Sequence, residues 1–179
     1  RLSSNLILAR FLSPEAFAIT GLASAVVFAF NMVSDGGFRA FILRHKIGGD
    51  DRVLNTLWTT KLLRNVILAC LLFFFSSHIA AFFDIAELGS VLQVLCLLFI
   101  FDGLLPIGFL SIQRENRVSV VMYIQFFCTV LAVIYSVVGV YYYQSYWPII
   151  HSMILKYILQ MIVGYIVIGR AGTAFSIDK

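Results

Sequence analysis

The chain has 179 residues, of which 61% are hydrophobic and 12% charged, with a net charge of +4 and a mean hydropathy of +0.96. Soluble domains carry about 25% charged residues, so a composition with half that share is typical of integral membrane proteins. The basic residues do not form one patch. We therefore expect a lipid bilayer as the surroundings and no nucleic acid as a partner.

The chain opens with an apolar segment, residues 1–12, that is only about half as long as the ~20 residues needed to cross a ~30 Å hydrocarbon layer. We expect it to be the second half of a helix whose first half is missing, so that residues 1–179 form one transmembrane bundle within a longer protein. Five later stretches are long enough to span the membrane. They are residues 16–38, 54–77, 88–112, 118–140 and 148–168.

A run of 38 residues between Arg117 and Lys156 has no formally charged side chain, and it covers the fourth stretch and the first part of the fifth. Its middle, Tyr141–Trp147, is rich in Tyr and Trp, which concentrate at the headgroup level of a bilayer. Pro148 follows, and Pro is favoured in the first turn of a helix. This pattern predicts two helices with a short aromatic turn between them. The apolar stretches of the whole chain together predict an all-α polytopic transmembrane helix bundle.

Two other local signals concern the third full span and the cysteines. Gly103, Pro106 and Gly108 predict a bend, because Pro removes a backbone hydrogen bond and clashes with the preceding turn. The three cysteines lie in apolar stretches without metal-ligand spacing, so we expect free buried thiols and no metal. They are Cys70, Cys96 and Cys128.

The loops alternate between basic and non-basic, which predicts orientation. The loops after the first, third and fifth full spans carry Lys and Arg, whereas the loops near 78–88 and 141–147 carry none. Basic loops face the cytoplasm. Counting back along the helices, the missing start of the chain is then also cytoplasmic.

Polar side chains at membrane depth are costly and usually face a cavity, so they are the candidate functional residues. Lys156 lies eight residues into its span, near the middle of the bilayer. Ser152, Lys156 and Gln160 are spaced i, i+4 and i+8, which places all three on one face. Asp35 and Arg39 lie one turn apart near the cytoplasmic end of the first full span.

Further candidates occur on the second and third full spans. Lys61 and Arg64 share a face one to two turns into the second, and Asp102 lies near the centre of the third. Lys61 and Arg39 have an alternative role, since long basic side chains near helix ends extend to the headgroups. The alternative role for Asp35 is that of a local partner of Arg39. The alternative role for Asp102 is that of a buried ion-pair partner of Lys156.

No enzyme motif is present in the sequence: there is no Gly-rich phosphate loop, no HExxH and no nucleophile elbow. We expect no enzymatic activity and no cofactor. The inward polar faces are net cationic, which favours a polar, anionic substrate by Coulomb attraction in a low-dielectric site. The residues by themselves indicate nothing more specific.

Three segments resemble a known family. Residues 8–17 (LARFLSPEAF), 34–43 (SDGGFRAFIL) and 54–64 (LNTLWTTKLLR) are similar, in order and spacing, to segments of Wzx-type O-antigen and exopolysaccharide flippases of the MOP superfamily. The sequence departs from the family pattern at Gly37, Arg39 and Asn65.

The resemblance implies the N-terminal six-helix half of a two-bundle, alternating-access transporter. It also implies a location in a bacterial cytoplasmic (inner) membrane. The substrate of the transporter would be an undecaprenyl-pyrophosphate-linked oligosaccharide repeat unit, moved from the cytoplasmic to the outer leaflet for lipopolysaccharide or exopolysaccharide biosynthesis. Polysaccharide polymerase and export proteins would be partners. Cationic residues of the cavity would meet the pyrophosphate, with Arg64, Lys156 and Arg39 as candidates. Asp35 and Asp102 would be candidates for ion or proton coupling.

Three other functions remain open. A MATE-type multidrug or cation antiporter would favour acidic residues facing a cation, whereas Lys61, Arg64 and Lys156 are basic. A membrane enzyme acting on polyprenyl-linked glycans would carry a large outer loop with catalytic residues, but the outer loops here are short. A scaffold of a glycan-export complex would leave the polar helix faces without a purpose.

Overall fold

The structure, a computed structural model, describes residues 14–34, 51–106 and 118–168. Within these ranges the chain forms helices and short turns, with no β-strand. The helices are α1 (Pro14–Ser34), α2 (Asp51–Phe82), α3 (Ala86–Gly103), α4 (Val118–Tyr143) and α5 (Trp147–Ile168). All five are long and apolar enough to cross a membrane. The predicted all-α polytopic bundle is confirmed.

The helix bounds differ from the predicted spans mainly at α3, which ends at Gly103 rather than at residue 112. The amide of Leu104 donates to the carbonyl of Ile100, four residues earlier, as in an α-helix. The amide of Leu105 donates to the carbonyl of Asp102, only three residues earlier, so the chain turns more tightly there. Pro106 follows and has no N–H with which to extend the helix. α3 therefore ends where the sequence predicts a bend. The segments 1–12, 35–38 and 107–112 of the predicted spans lie outside the described residues.

α3 is the central helix of the bundle. It contacts α1, α2 and α5, whereas α4 contacts chiefly α5. Side chains such as Leu92, Leu95 and Phe99 are fully buried in its interfaces. The ring of Phe99 lies 6.4 Å from that of Phe30 on α1, a distance typical of aromatic pairs. The α4–α5 hairpin thus joins the other helices through α5.

The α2–α3 turn is set by hydrogen bonds at the end of α2. The amide of Ile85 bonds the carbonyl of Ala80, and the amide of Asp84 bonds that of Ala81. This pair of bonds is a Schellman motif, in which one residue takes the left-handed conformation. Asp84 takes it, with φ of 56°. The chain therefore reverses within three residues.

The α4–α5 turn also has a left-handed residue, Gln144 with φ of 47°, but with a single hydrogen bond, the simpler form of this helix end. The Gln144 amide donates to the carbonyl of Val140 at 2.9 Å. The hydroxyl of Tyr146 then donates to Glu87 Oε2 at 2.9 Å, which joins this turn to the start of α3. Both turns thus lie at the same end of the bundle, called the turn end below.

The outer surface of the helices is apolar and aromatic. Phe74 on α2 and Phe126 on α4 are 74% and 70% exposed. Such side chains suit contact with lipid tails, which a folded membrane protein meets where a soluble one meets water. The same surface includes Cys70, so the prediction of a buried thiol is wrong there, while Cys96 and Cys128 are buried. An apolar stretch does not separate core from surface when the solvent is lipid.

Candidate functional site

A polar cluster joins α2 to the last turn of α3, at the end of the bundle opposite the turn end. The Lys61 Nζ atom lies 3.8 Å from Asp102 Oδ2 and donates a 2.6 Å hydrogen bond to the main-chain oxygen of the same residue. Asn65 Nδ2 donates to Asp102 Oδ2 at 2.9 Å. The side chains of Lys61 and Asp102 are 18% and 25% exposed. The half-buried carboxylate of Asp102 therefore has Lys61 as its ion-pair partner and the amide of Asn65 as its hydrogen-bond donor.

The local sequence explains why Lys61 reaches a main-chain oxygen. In an α-helix the carbonyl of residue 102 would accept from the amide of residue 106, which here is Pro106 and has no N–H. The Leu105 amide bonds that carbonyl at 3.2 Å instead, and Lys61 supplies a second, charged donor. A cation at a helix C-terminus also interacts favourably with the helix dipole. Lys61 therefore caps α3 from a neighbouring helix.

Close approach of the two helices brings these groups within reach. A Cβ atom at Gly103 would lie 3.1 Å from Asn65 Cβ and 3.2 Å from Leu62 Cδ1. Both distances are tighter than ordinary van der Waals contact, so only Gly fits without a shift of its neighbours. Near the same end of the bundle, Tyr165 of α5 donates to the Leu104 carbonyl at 3.1 Å. These contacts fix the ends of α3 and α5 side by side.

The predicted stripe on α5 is largely enclosed. Ser152 and Gln160 are buried and Lys156 is half-buried, with Nζ 5.6 Å from the ring centroid of Tyr157. The Ser152 hydroxyl donates to the carbonyl of Ile149. These polar groups lie within a bundle whose outer surface is apolar, and their role as the lining of a substrate cavity stays a prediction.

The stripe lies on the side of α5 that faces α4. Pro148, one turn before Ser152, contacts α4 closely: a Cβ atom at Gly139 would lie 2.6 Å from Pro148 Cβ. On α4, Ser136 is 3% exposed, and its hydroxyl has no hydrogen-bond partner within the described part of the chain. Buried hydroxyl groups normally have partners. The α4–α5 interface is therefore the second polar region of the bundle.

The structure separates the predicted site residues into these two regions. Lys61 and Asp102 meet between α2 and α3, with Arg64 half-buried one turn further along α2, whereas Lys156 lies on α5. The partner of Asp102 in the ion pair is Lys61, and its position is the last turn of α3 rather than the centre of a span. The remaining two predicted residues, Arg39 and Asp35, lie outside the described residues.

Sequence reasoning missed Asn65 as part of the cluster. It is only 1% exposed and its amide is committed to Asp102. The sequence holds a signal for it, since Asn65 lies one turn after Lys61 and stands where the resembling flippases have Gly. A polar residue in place of Gly at a helix contact indicates an added hydrogen bond between helices.

The described residues form no metal centre: across 14–34, 51–106 and 118–168, no three His, Cys, Asp or Glu side chains lie close enough to hold an ion. The chemistry of the two regions is instead that of charge and hydrogen bonding at membrane depth. The fold and these groups together define a multi-pass helical membrane protein.

Comparison with known proteins gives the family. A family model described as polysaccharide biosynthesis protein matches residues 7–177, almost the whole chain. The chain belongs to this polysaccharide biosynthesis protein family, which confirms at family level the resemblance carried by the three segments above. No curated protein and no solved structure gave a significant match.

Proposed function

We propose that the protein is a flippase that moves a polyprenyl-pyrophosphate-linked oligosaccharide from the cytoplasmic to the outer leaflet of a bacterial inner membrane. Membership in a polysaccharide biosynthesis family and five potential membrane spans support this proposal. A bilayer blocks the passage of a charged glycan-lipid headgroup, because an unpaired charge in hydrocarbon is very costly. A polytopic protein of this family is suited to remove that barrier.

Lys156 is the observation that carries the proposal. It lies nine residues after Trp147, the first residue of α5, or ~14 Å into a layer of ~30 Å. A Lys at that depth costs about 3 kcal/mol on insertion scales, so such residues mark substrate or ion pathways. A cation flanked by the hydroxyl of Ser152 and the amide of Gln160 suits a pyrophosphate or an acidic sugar.

The basic loops of the sequence give the orientation of the proposal. The turn end carries no Lys or Arg in its two turns, 83–85 and 144–146, and would face outward. The Lys61–Asp102 cluster would then lie at the cytoplasmic side, where substrate enters. The missing start of the first helix would also be cytoplasmic.

An enzymatic role and an antiporter role are less well supported. The two turns that would face outward are only three residues each and offer no catalytic loop. Away from the first and last turns of the described helices, the formally charged residues are Lys61, Arg64 and Lys156, all basic, whereas the acidic Asp102 lies in the last turn of α3. Polysaccharide polymerase and export proteins would act on the product and are the proposed partners.

Genetic complementation tests this function. The gene is expressed in a flippase-null cell that has the cognate glycan pathway, and surface polysaccharide is quantified. We expect the wild type to restore it, Lys156→Ala to lower it at least tenfold, and the charge-preserving Lys156→Arg to keep most of it. Arg64→Ala provides the same comparison on α2. Equal membrane levels of all variants, measured by immunoblotting, are the control.

A wild type that restores no surface polysaccharide would refute the proposal. Full restoration by Lys156→Ala and Arg64→Ala would instead refute the assignment of these cations to substrate passage.

A further inference from the structure

A groove lies between α2 and α3 beside their turn, away from both polar regions described above. Its volume is about 380 Å³, within the ~300–1,000 Å³ range of ligand pockets. The exposed side chains of Ser77, Ser90 and Gln93 line it, and buried Ala80 and Gly89 lie among its lining residues.

Small residues create the groove. A Cβ atom at Gly89 would lie 3.4 Å from Ala80 Cβ and 3.9 Å from the carbonyl of Ser76, so the two helices approach closely here. Because neither Gly89 nor Ala80 has a large side chain, the space above them is open. Elsewhere on the hairpin, large side chains such as Phe73 and Phe75 extend outward.

The polar side chains of the lining, Gln93 above all, are poorly suited to contact with lipid tails. Gln93 lies seven residues into α3, or ~10 Å from the turn end. Its amide is exposed, and none of the hydrogen bonds among the described residues uses it. An amide transferred to a hydrocarbon without hydrogen bonds loses about 4–8 kcal/mol. Gln93 therefore favours a polar neighbour over lipid.

The lining also indicates the chemistry of that neighbour. It contains two hydroxyls, one amide and, beside the turn, the carboxylate of Asp84, but no Lys or Arg. The Ser90 hydroxyl donates to the main-chain oxygen of Glu87 at 2.8 Å and can still accept a hydrogen bond. The Ser77 hydroxyl and the Gln93 amide can donate and accept, and a carboxylate accepts. This set suits a neutral ligand rich in hydroxyl groups and disfavours a phosphate, which would be repelled by Asp84.

We propose that this groove binds sugar units of the oligosaccharide as they arrive at the outer side of the membrane. The inference rests on the proposed function, because it takes the glycan of the transported lipid as the ligand. In this arrangement the pyrophosphate is attracted by cations elsewhere in the bundle. The uncharged sugar hydroxyls replace their hydrogen bonds to water with hydrogen bonds to Ser77, Ser90 and Gln93. The two parts of the substrate thus bind at chemically different sites.

Cysteine labelling tests the groove, with a matched control at the same depth. Gln93→Cys and Phe74→Cys are compared in a background with Cys70, Cys96 and Cys128 replaced by Ser. Phe74 lies eight residues from the turn end of α2 and is 74% exposed on the apolar surface. A membrane-impermeant maleimide is added to intact cells. We expect Gln93→Cys to react at least tenfold faster than Phe74→Cys.

The ligand is then tested by protection. Labelling is measured in cells that accumulate the lipid-linked oligosaccharide in the outer leaflet, because its polymerisation is blocked, and in cells that cannot synthesise it. We expect accumulation to slow the labelling of Gln93→Cys severalfold. Equal labelling in both cells would overturn the sugar site and leave a hydrated groove. No labelling in either would also overturn it and would indicate lipid or another protein segment over the groove.

The same cells separate this inference from the function on which it rests. Restoration of surface polysaccharide by the wild type, together with unprotected Gln93→Cys, would contradict the groove alone. A wild type that restores no polysaccharide would contradict both. As a second variant, Ala81→Trp places a large side chain at the exposed lining of the groove, and we expect it to lower surface polysaccharide severalfold at an unchanged membrane level.

Discussion

The Nζ atom of Lys61 lies closer to the main-chain oxygen of Asp102, at 2.6 Å, than to its carboxylate, at 3.8 Å. The short bond exists because Pro106 cannot donate to that carbonyl as an ordinary helical residue would. Lys61 is thus chiefly the cap of α3 and only secondarily an ion-pair partner. Substitution of Lys61 and substitution of Asp102 should therefore lower stability by different amounts, whereas a simple salt bridge would make the two losses equal.

We expect Lys61→Met to destabilise the protein by about 2 kcal/mol, because it removes a charged donor from a main-chain acceptor. Asp102→Asn should cost less, on the order of 0.5 kcal/mol. The main-chain oxygen remains in that variant, a partly exposed ion pair contributes little, and an amide oxygen can still accept from Asn65. Unfolding of both variants in detergent micelles measures the difference.

Lys61→Arg serves as a control that keeps the positive charge. Equal losses for Lys61→Met and Asp102→Asn would contradict the capping role and favour a simple ion pair. Unchanged stability in both variants would contradict any structural role for the cluster.

The α4–α5 hairpin depends on Gly139, because a Cβ atom there would lie 2.6 Å from Cβ of Pro148. We expect Gly139→Ala to destabilise the protein by about 1–3 kcal/mol, since the two helices must separate to relieve the overlap. Gly21→Ala is the matched control: nothing lies within 4 Å of a Cβ atom at that position on α1. It should stabilise the protein by up to about 1 kcal/mol through helix propensity.

Thermal unfolding of the two glycine variants under one set of detergent conditions checks this prediction. A Gly139→Ala protein as stable as Gly21→Ala would show that the hairpin tolerates a wider separation than the structure has.

Ser136 is buried with a hydroxyl that has no hydrogen-bond partner among the residues described. We expect Ser136→Ala to stabilise the isolated protein by about 1 kcal/mol, because burying an unsatisfied polar group is costly and Ala favours helix formation. The apparent Tm in micelles is the measurement. A lower Tm would contradict this prediction and would mean that the hydroxyl has a partner in the folded protein, such as a bound water.

The bond between Tyr146 and Glu87 gives a prediction about pH. Burial, followed by the hydrogen bond to Glu87 and the negative charge of that residue, raises the pKa of the Tyr146 phenol above its usual 10. A raised pKa means that the stabilisation is complete below the usual pKa and is lost as pH rises through the higher one. We expect Tyr146→Phe to lower stability by about 1 kcal/mol at neutral pH.

The difference between Tyr146→Phe and the wild type should stay constant from about pH 6 to 9, begin to fall near pH 10, and be lost as the pH rises through the raised pKa of the phenol. Unfolding of both proteins across this range, at constant ionic strength, measures it. A difference that changes between pH 6 and 8 would contradict the assignment to the phenol and would implicate another group.

The sequence predicts the helices well because each is an apolar run of the length that a bilayer imposes. It predicts the end of α3 poorly, since Gly103 and Pro106 fit equally with a bend or with a helix end. Hydropathy alone continues the span to residue 112 and so places Asp102 at its centre. The backbone instead ends the helix one residue after Asp102.

Contacts between helices could not be predicted from one sequence. The periodicity of α2 places Lys61 and Arg64 on one face, yet the partner of Lys61 depends on how α2 and α3 are aligned along their length. That alignment is fixed by the close approach at Gly103 and Gly89, a property of the packed pair. The stripe on α5 is easier to predict than a contact between helices. Ser152, Lys156 and Gln160 share one helix, and their spacing alone predicts a common face.

The leaflet in which lipid-linked repeat units accumulate in the null cell tests the flippase proposal most directly. Spheroplasts of null and complemented cells are treated with a membrane-impermeant glycosidase, and the cleaved fraction of the lipid-linked oligosaccharide is measured. The account predicts protected repeat units in the null cell and cleaved ones after complementation with the wild type. Repeat units that are already cleaved in the null cell would contradict it, because the missing step would then follow translocation.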